Sequence, residues 1–179
     1  MIRRHEKSPA RTIPGTDVAA VFRRILVPHD FSAHADHALR EAARLLPPGG
    51  ELILLHAIVP IVPVDELPVD GLGRYISAKE FRHGALRRLE HLVKRIFGRK
   101  PPRLTMRVAL GDPYQCILRE SRRADLIVMA TVGRTGLAHM VIGSVAEKVV
   151  RHSAIPVLTL RPTVARRGRT RRPPRRGRR

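Results

Sequence analysis

An α/β fold, built as a five-stranded parallel sheet with helices on both faces, is predicted by three features of the sequence. Apolar runs at 25–27, 52–55 and 126–129 are too short for typical helices and show no polar alternation, the pattern of strands buried on both faces. A helical segment separates each strand from the next, and such crossovers are right-handed and place helices on both sides of a parallel sheet. The 179 residues, 43% of them hydrophobic, suit one ordinary domain with a substantial core, while the two ends differ in composition from the middle.

Residues 1–20 mix Pro, Gly and charge without periodicity and are expected to form a disordered basic leader. The domain is expected over 21–161. Its first strand is RILVP at 24–28, followed by a turn of His29, Asp30, Phe31 and Ser32, in which Ser32 suits the cap of the next helix. Ala35, Ala38, Leu39, Ala42, Leu45 and Leu46 make one helical face, stopped by Pro47, Pro48, Gly49 and Gly50. LILLHA at 52–57 is a second buried strand, and a Pro-rich excursion at 59–73 is too irregular for a regular element.

Ser77 and Glu80 form a capping box ahead of an apolar stripe through Phe81, Leu86, Leu89, Val93, Ile96 and Phe97, so a long helix is expected to end near Gly98. Leu104, Met106, Val108 and Leu110 alternate with Thr105, Arg107 and Ala109, which predicts a half-covered strand near a sheet edge. Gly111, Asp112 and Pro113 start a short helix, on which Cys116 is expected to be buried rather than reactive. A fourth strand at 126–129, a helix with Ala146, Val149 and Val150 facing inward, and a fifth strand at 156–160 complete the order.

The fourth strand enters a loop punctuated by Gly133, Gly136 and Gly143 that leads to Ser144 and Glu147, an S-x-x-E capping box predicting a helix from about Ser144. The free N–H groups of such a helix start favour an anion, phosphate above all. A strand-to-helix turn without a ligand can carry the same glycines. In a sheet wound from its centre the first and fourth strands are neighbours, which would bring Asp30 and the Gly133 loop to one crevice at the carboxyl ends of the strands. Asp30 could equally serve the cap at Ser32.

Charge and composition bound the other functions. The formal net charge is +20, and residues 162–179 carry nine arginines and no acid, so this tail is expected to be disordered and to suit nonspecific, salt-sensitive contact with nucleic acid or other polyanions. Aromatic content of 3% provides poorly for base stacking. The charged start lacks a following apolar segment, and no stretch is long and apolar enough to span a bilayer, so a cytoplasmic protein without membrane attachment is expected. His34 and His37 lack a third ligand, and no metal-only site is expected. No Walker lysine follows the glycine loop, and no nucleophile is paired with a base, so a dedicated enzyme is not expected. His29 reads as a polar turn residue at the mouth of the crevice.

Over residues 22–161 the chain resembles the universal stress protein (UspA) family. The likeness is carried by Ile25-Leu26-Val27-Pro28, Asp30-Phe31-Ser32, Leu54-Leu55-His56-Ala57, Gly111-Asp112-Pro113, the segment from Val128 through Gly136, Gly143-Ser144-Val145-Ala146-Glu147 and Ile155-Pro156-Val157-Leu158. The family's nucleotide-binding pattern G-x2-G-x9-G-[ST] falls on Gly133, Gly143 and Ser144, with Ala130 in place of its first glycine and Val132 where many relatives have His. The resemblance implies a Rossmann-like fold of the adenine nucleotide alpha hydrolase type and a site for ATP. Pro28, His29 and Asp30 would lie under the nucleoside, the backbone at Ala57 would read the adenine edge, and Met129 and Ala130 would flank the sugar. Gly133, Arg134, Gly143, Ser144 and Val145 would hold phosphates, with Mg2+ accompanying the nucleotide near Asp30. It also implies a stress-response regulator that dimerises through the last strand, Val157–Leu160, with at most slow ATP hydrolysis. A nucleotide-free dimeric interaction module, as in the family's other branch, is the alternative, and Ala130 and Val132 favour it.

Overall fold

The computed structural model describes residues 22–59, 78–132 and 142–161. Five strands, β1 (Arg24–Pro28), β2 (Glu51–Ile58), β3 (Leu104–Leu110), β4 (Leu126–Ala130) and β5 (Val157–Leu160), alternate with four helices, α1 (Ala33–Leu45), α2 (Ala78–Phe97), α3 (Pro113–Ser121) and α4 (Ser144–His152). All strand pairs are parallel, in the order β3-β2-β1-β4-β5. The winding therefore starts in the centre and reverses between β1 and β4, as the sequence pattern anticipates.

Alternate residues of the central strands feed two separate cores, as a period of two requires. Ile25, Val27, Leu52, Leu54, Leu126 and Val128 pack with Ala38, Leu39 and Ala42 of α1 and Leu89 and Leu92 of α2. Leu26, Ile53, Leu55, Ile127 and Met129 pack on the other face with Cys116 and Ile117 of α3 and Ala146 and Val149 of α4. Helices thus cover both faces, and Cys116 is buried among apolar neighbours as expected. The alternating β3 lies at one edge of the sheet, again as expected. Val150 departs from its predicted place: it is 48% exposed, because one further residue rotates about 100° around the helix from Val149, away from the sheet.

Local chemistry sets the element ends. Ser32 Oγ accepts the Ala35 N–H and caps α1, and Asp112 does the same for α3 through the Gln115 N–H, with Pro113 opening the helix. Gly98, at φ 66°, ends α2 in the left-handed conformation that costs glycine least. Ser77, the other predicted cap, lies outside the described residues. Asp125 ties the sheet together at its amino end, its Oδ2 accepting the N–H groups of Arg23 (3.0 Å) and Arg24 (2.8 Å). Asp125→Ala is expected to cost about 1–2 kcal/mol, read as a lower urea midpoint at unchanged slope.

Candidate functional site

At the reversal between β1 and β4 the carboxyl ends of the strands open into a cleft of about 280 Å³, near the lower limit of ordinary ligand sites. Of the residues assigned to it from sequence, Pro28, His29, Asp30, Ala57, Met129, Ala130, Gly143, Ser144 and Val145 all line this cleft. Gly133 and Arg134 lie outside the described residues. His56, Pro113, Ile117 and Thr131 line the cleft as well and were not predicted. His56 had a signal, since it occupies the carboxyl end of a buried strand; Pro113 and Ile117 reach the cleft only because α3 crosses over the sheet, which spacing cannot show.

The phosphate-type end is built by a close approach of two backbones. Thr131 O accepts the Gly143 N–H at 2.6 Å, and a Cβ on Gly143 would stand 3.2 Å from the same oxygen. Gly143 has φ −72° and ψ 154°, angles open to any residue, so it is space and not conformation that demands glycine here. The predicted capping box is not formed. Gly143 is the N-cap, its carbonyl receives the Glu147 N–H, and α4 has no side-chain cap bond, because the tie to Thr131 starts the helix one residue earlier than an N-cap at Ser144 requires. The first-turn N–H groups of Ser144, Val145 and Ala146 consequently have no intrahelical acceptor and belong to residues that line the cleft. A site of that kind suits an anion.

Opposite them stands the β1–α1 turn. Asp30 Oδ1 accepts the Ser32 N–H at 3.0 Å, so the carboxylate both supports the cap and lines the cleft. Phe31 is held at φ 65°, a strained conformation for an aromatic residue. The Arg88 guanidinium of α2 lies 4.1 Å over its ring, and the ring packs against His56 at 4.5 Å. His56 donates from Nδ1 to the His29 carbonyl at 2.8 Å, joining β2 to the turn.

His29 is not the solvated turn residue expected. Its side chain is 0% exposed, and Nδ1 accepts the Phe31 N–H at 3.0 Å, which places the proton of the neutral ring on Nε2. Nε2 lies 3.3 Å from Asp36 Oδ1 at an ion-pair distance but without hydrogen-bond alignment, and it has no hydrogen-bond partner among the described residues. Asp36 is itself clamped by Arg95 of α2 through bonds of 2.8 and 3.0 Å. Burial pushes the His29 pKa down from 6.5 to about 4, against the opposing pull of Asp36 and Asp30. The imidazole is therefore neutral near neutral pH. The sequence hid this arrangement because His29, Asp36 and Arg95 meet only after α1 and α2 pack on the same face.

A doubly wound parallel sheet with a polar cleft at its reversal and an uncapped helix start at one end of it defines the class: a Rossmann-like α/β protein. A model described as the universal stress protein family matches residues 22–161, and the chain belongs to that family. A universal stress protein of Methanocaldococcus jannaschii is 30% identical over 145 residues, covering 79% of this chain and 83% of the relative. One from Thermus aquaticus is 31% identical over 150 residues, covering 79% of this chain and 100% of the relative. The solved structure of hypothetical protein MJ0577 superposes with a TM-score of 0.63 at 26% identity, covering 81% of this chain and 99% of that one. A universal stress protein solved in complex with cAMP shares the fold at a TM-score of 0.57 and 20% identity, covering 79% of this chain and 98% of that one. Among the described residues no helix is long and apolar enough to cross a membrane.

Proposed function

We propose that this chain is a cytoplasmic, ATP-binding stress-response regulator that acts as a dimer, with its ordered domain at 21–161 between a disordered leader and tail. One observation carries the reading: the uncapped N–H groups of Ser144, Val145 and Ala146 and the carboxylate of Asp30 line one cleft, at the point of sheet reversal where such folds take ligands. The phosphates belong at the α4 end and the nucleoside between Pro28, Ala57 and Met129. A hard cation accompanying the triphosphate prefers oxygen ligands, and Asp30 supplies them. The role is binding rather than turnover, since Nδ1 of the cleft's His29 is engaged by Phe31 and its Nε2 faces Asp36. Membership of a family in which one solved member holds cAMP agrees with a nucleotide ligand.

Dimerisation is assigned to β5. Leu158 is 37% exposed, and with Phe22, Leu45, Pro156 and Val157 it lines an apolar groove along the edge of the sheet, the kind of edge that proteins cover. The nucleotide-free module is the second reading, favoured by the Ala130 and Val132 side chains in the cleft.

Native mass spectrometry of the purified chain, followed by equilibrium titration with ATP, decides between the two. Micromolar-range binding, weakened about ten-fold or more by Asp30→Ala, is the expected result. Absence of ATP binding by the parent chain would leave only the nucleotide-free reading.

A further inference from the structure

The arginine-rich tail begins at the rim of the cleft. β5 runs parallel to β4 with Leu160 paired to Ala130, and Ala130 lines the cleft. The Leu160 carbonyl accepts both the Thr131 N–H (2.9 Å) and the Thr131 hydroxyl (3.3 Å), and Thr131 O in turn holds the Gly143 N–H. The chain thus leaves the sheet at exposed Arg161 one strand spacing, about 4.8 Å, from the backbone that fixes the start of α4. The first two tail arginines, Arg166 and Arg167, follow four residues after Arg161. Five extended residues span at most about 17 Å, enough for Arg166 to reach back over an anion at the helix start. Nine arginines on so short a tether present guanidinium at high effective concentration to whatever negative charge the cleft holds. Guanidinium is also the side chain best suited to bidentate phosphate contact.

We infer that the tail arginines nearest the domain, Arg166, Arg167 and Arg169, bind in cis to the phosphate end of the cleft's ligand and so select polyphosphorylated ligands over their unphosphorylated counterparts. The inference rests on the nucleotide reading above and adds the element that discriminates among nucleotides. A solvated tail would contribute equally to neither; a clamp contributes only where phosphates are present, and its contribution falls with salt.

The full-length triple variant Arg166→Gln, Arg167→Gln, Arg169→Gln separates these outcomes when ATP and adenosine are each titrated against parent and variant. The expected result is an ATP affinity about ten-fold or more below that of the parent, with adenosine affinity unchanged and a shallower salt dependence for ATP. Equal ATP affinity in parent and variant overturns the inference while leaving the nucleotide reading intact. A parallel loss of ATP and adenosine also overturns it, because it assigns the arginines a structural role. A parent that binds neither compound overturns the nucleotide reading and the clamp together.

Discussion

Lowering the pH from 7 to 4 is expected to remove on the order of 3 kcal/mol of stability through His29 alone. The folded-state pKa, about 4, lies below the 6.5 of the unfolded chain. Above pH 6.5 neither state holds the extra proton and His29 costs nothing. Between 6.5 and 4 the unfolded state binds it and the folded state does not, so stability falls steadily with pH and the loss levels off below about 4. The structural reason is that protonating Nδ1 destroys the acceptor for the Phe31 N–H. The charge would also sit in a site that desolvates it more strongly than Asp36 and Asp30 compensate. Other groups titrate in the same window, so the comparison is with His29→Asn, whose side-chain oxygen can take the place of Nδ1 as acceptor. Urea midpoints at a series of pH values should show a markedly flatter dependence between 6.5 and 4 in the variant. Parallel curves would refute the assignment.

Gly143→Val is expected to weaken ATP binding about ten-fold or more and to cost about 1–3 kcal/mol of stability. The backbone angles at this position admit valine, so the penalty comes from contact. The new Cβ would lie 3.2 Å from a backbone oxygen that cannot move without disturbing the exit from β4, and the γ-methyls need further room. The start of α4 must yield, carrying the N–H groups of Ser144 and Val145 with it. Gly143→Ala, which adds the Cβ alone, should fall between parent and valine variant in both ATP titration and urea midpoint. A valine variant that binds ATP like the parent would mean that the tight approach to Thr131 does not position the ligand site.

The fold was legible because its signals are local and repeated. The unbroken apolar runs of β1, β2 and β4 marked strands buried on both faces, and the alternation in β3 marked an edge, where the structure puts it. Much of the cleft was legible too, since Asp30, Met129 and Gly143 stand at strand ends or helix starts, positions that the topology gathers. What escaped were contacts between elements distant in sequence. The burial of His29 depends on Asp36 and Arg95, and the strain at Phe31 is held by Arg88 from a different helix. The failed capping box has the same origin: Ser144 has the right spacing to Glu147, but the hydrogen bond from Gly143 to Thr131, which spacing cannot anticipate, starts the helix earlier. Val150 failed for a simpler reason, the 100° step of the helix.

The most direct test of nucleotide binding at this cleft is an ATP titration of the isotope-labelled, full-length chain followed by the backbone amide resonances. Saturable shifts concentrated at Ser144, Val145 and Ala146 and at Ala57 are the predicted result. No saturable shift in those amides at cellular ATP concentrations, or shifts confined to the arginine-rich tail, would contradict it.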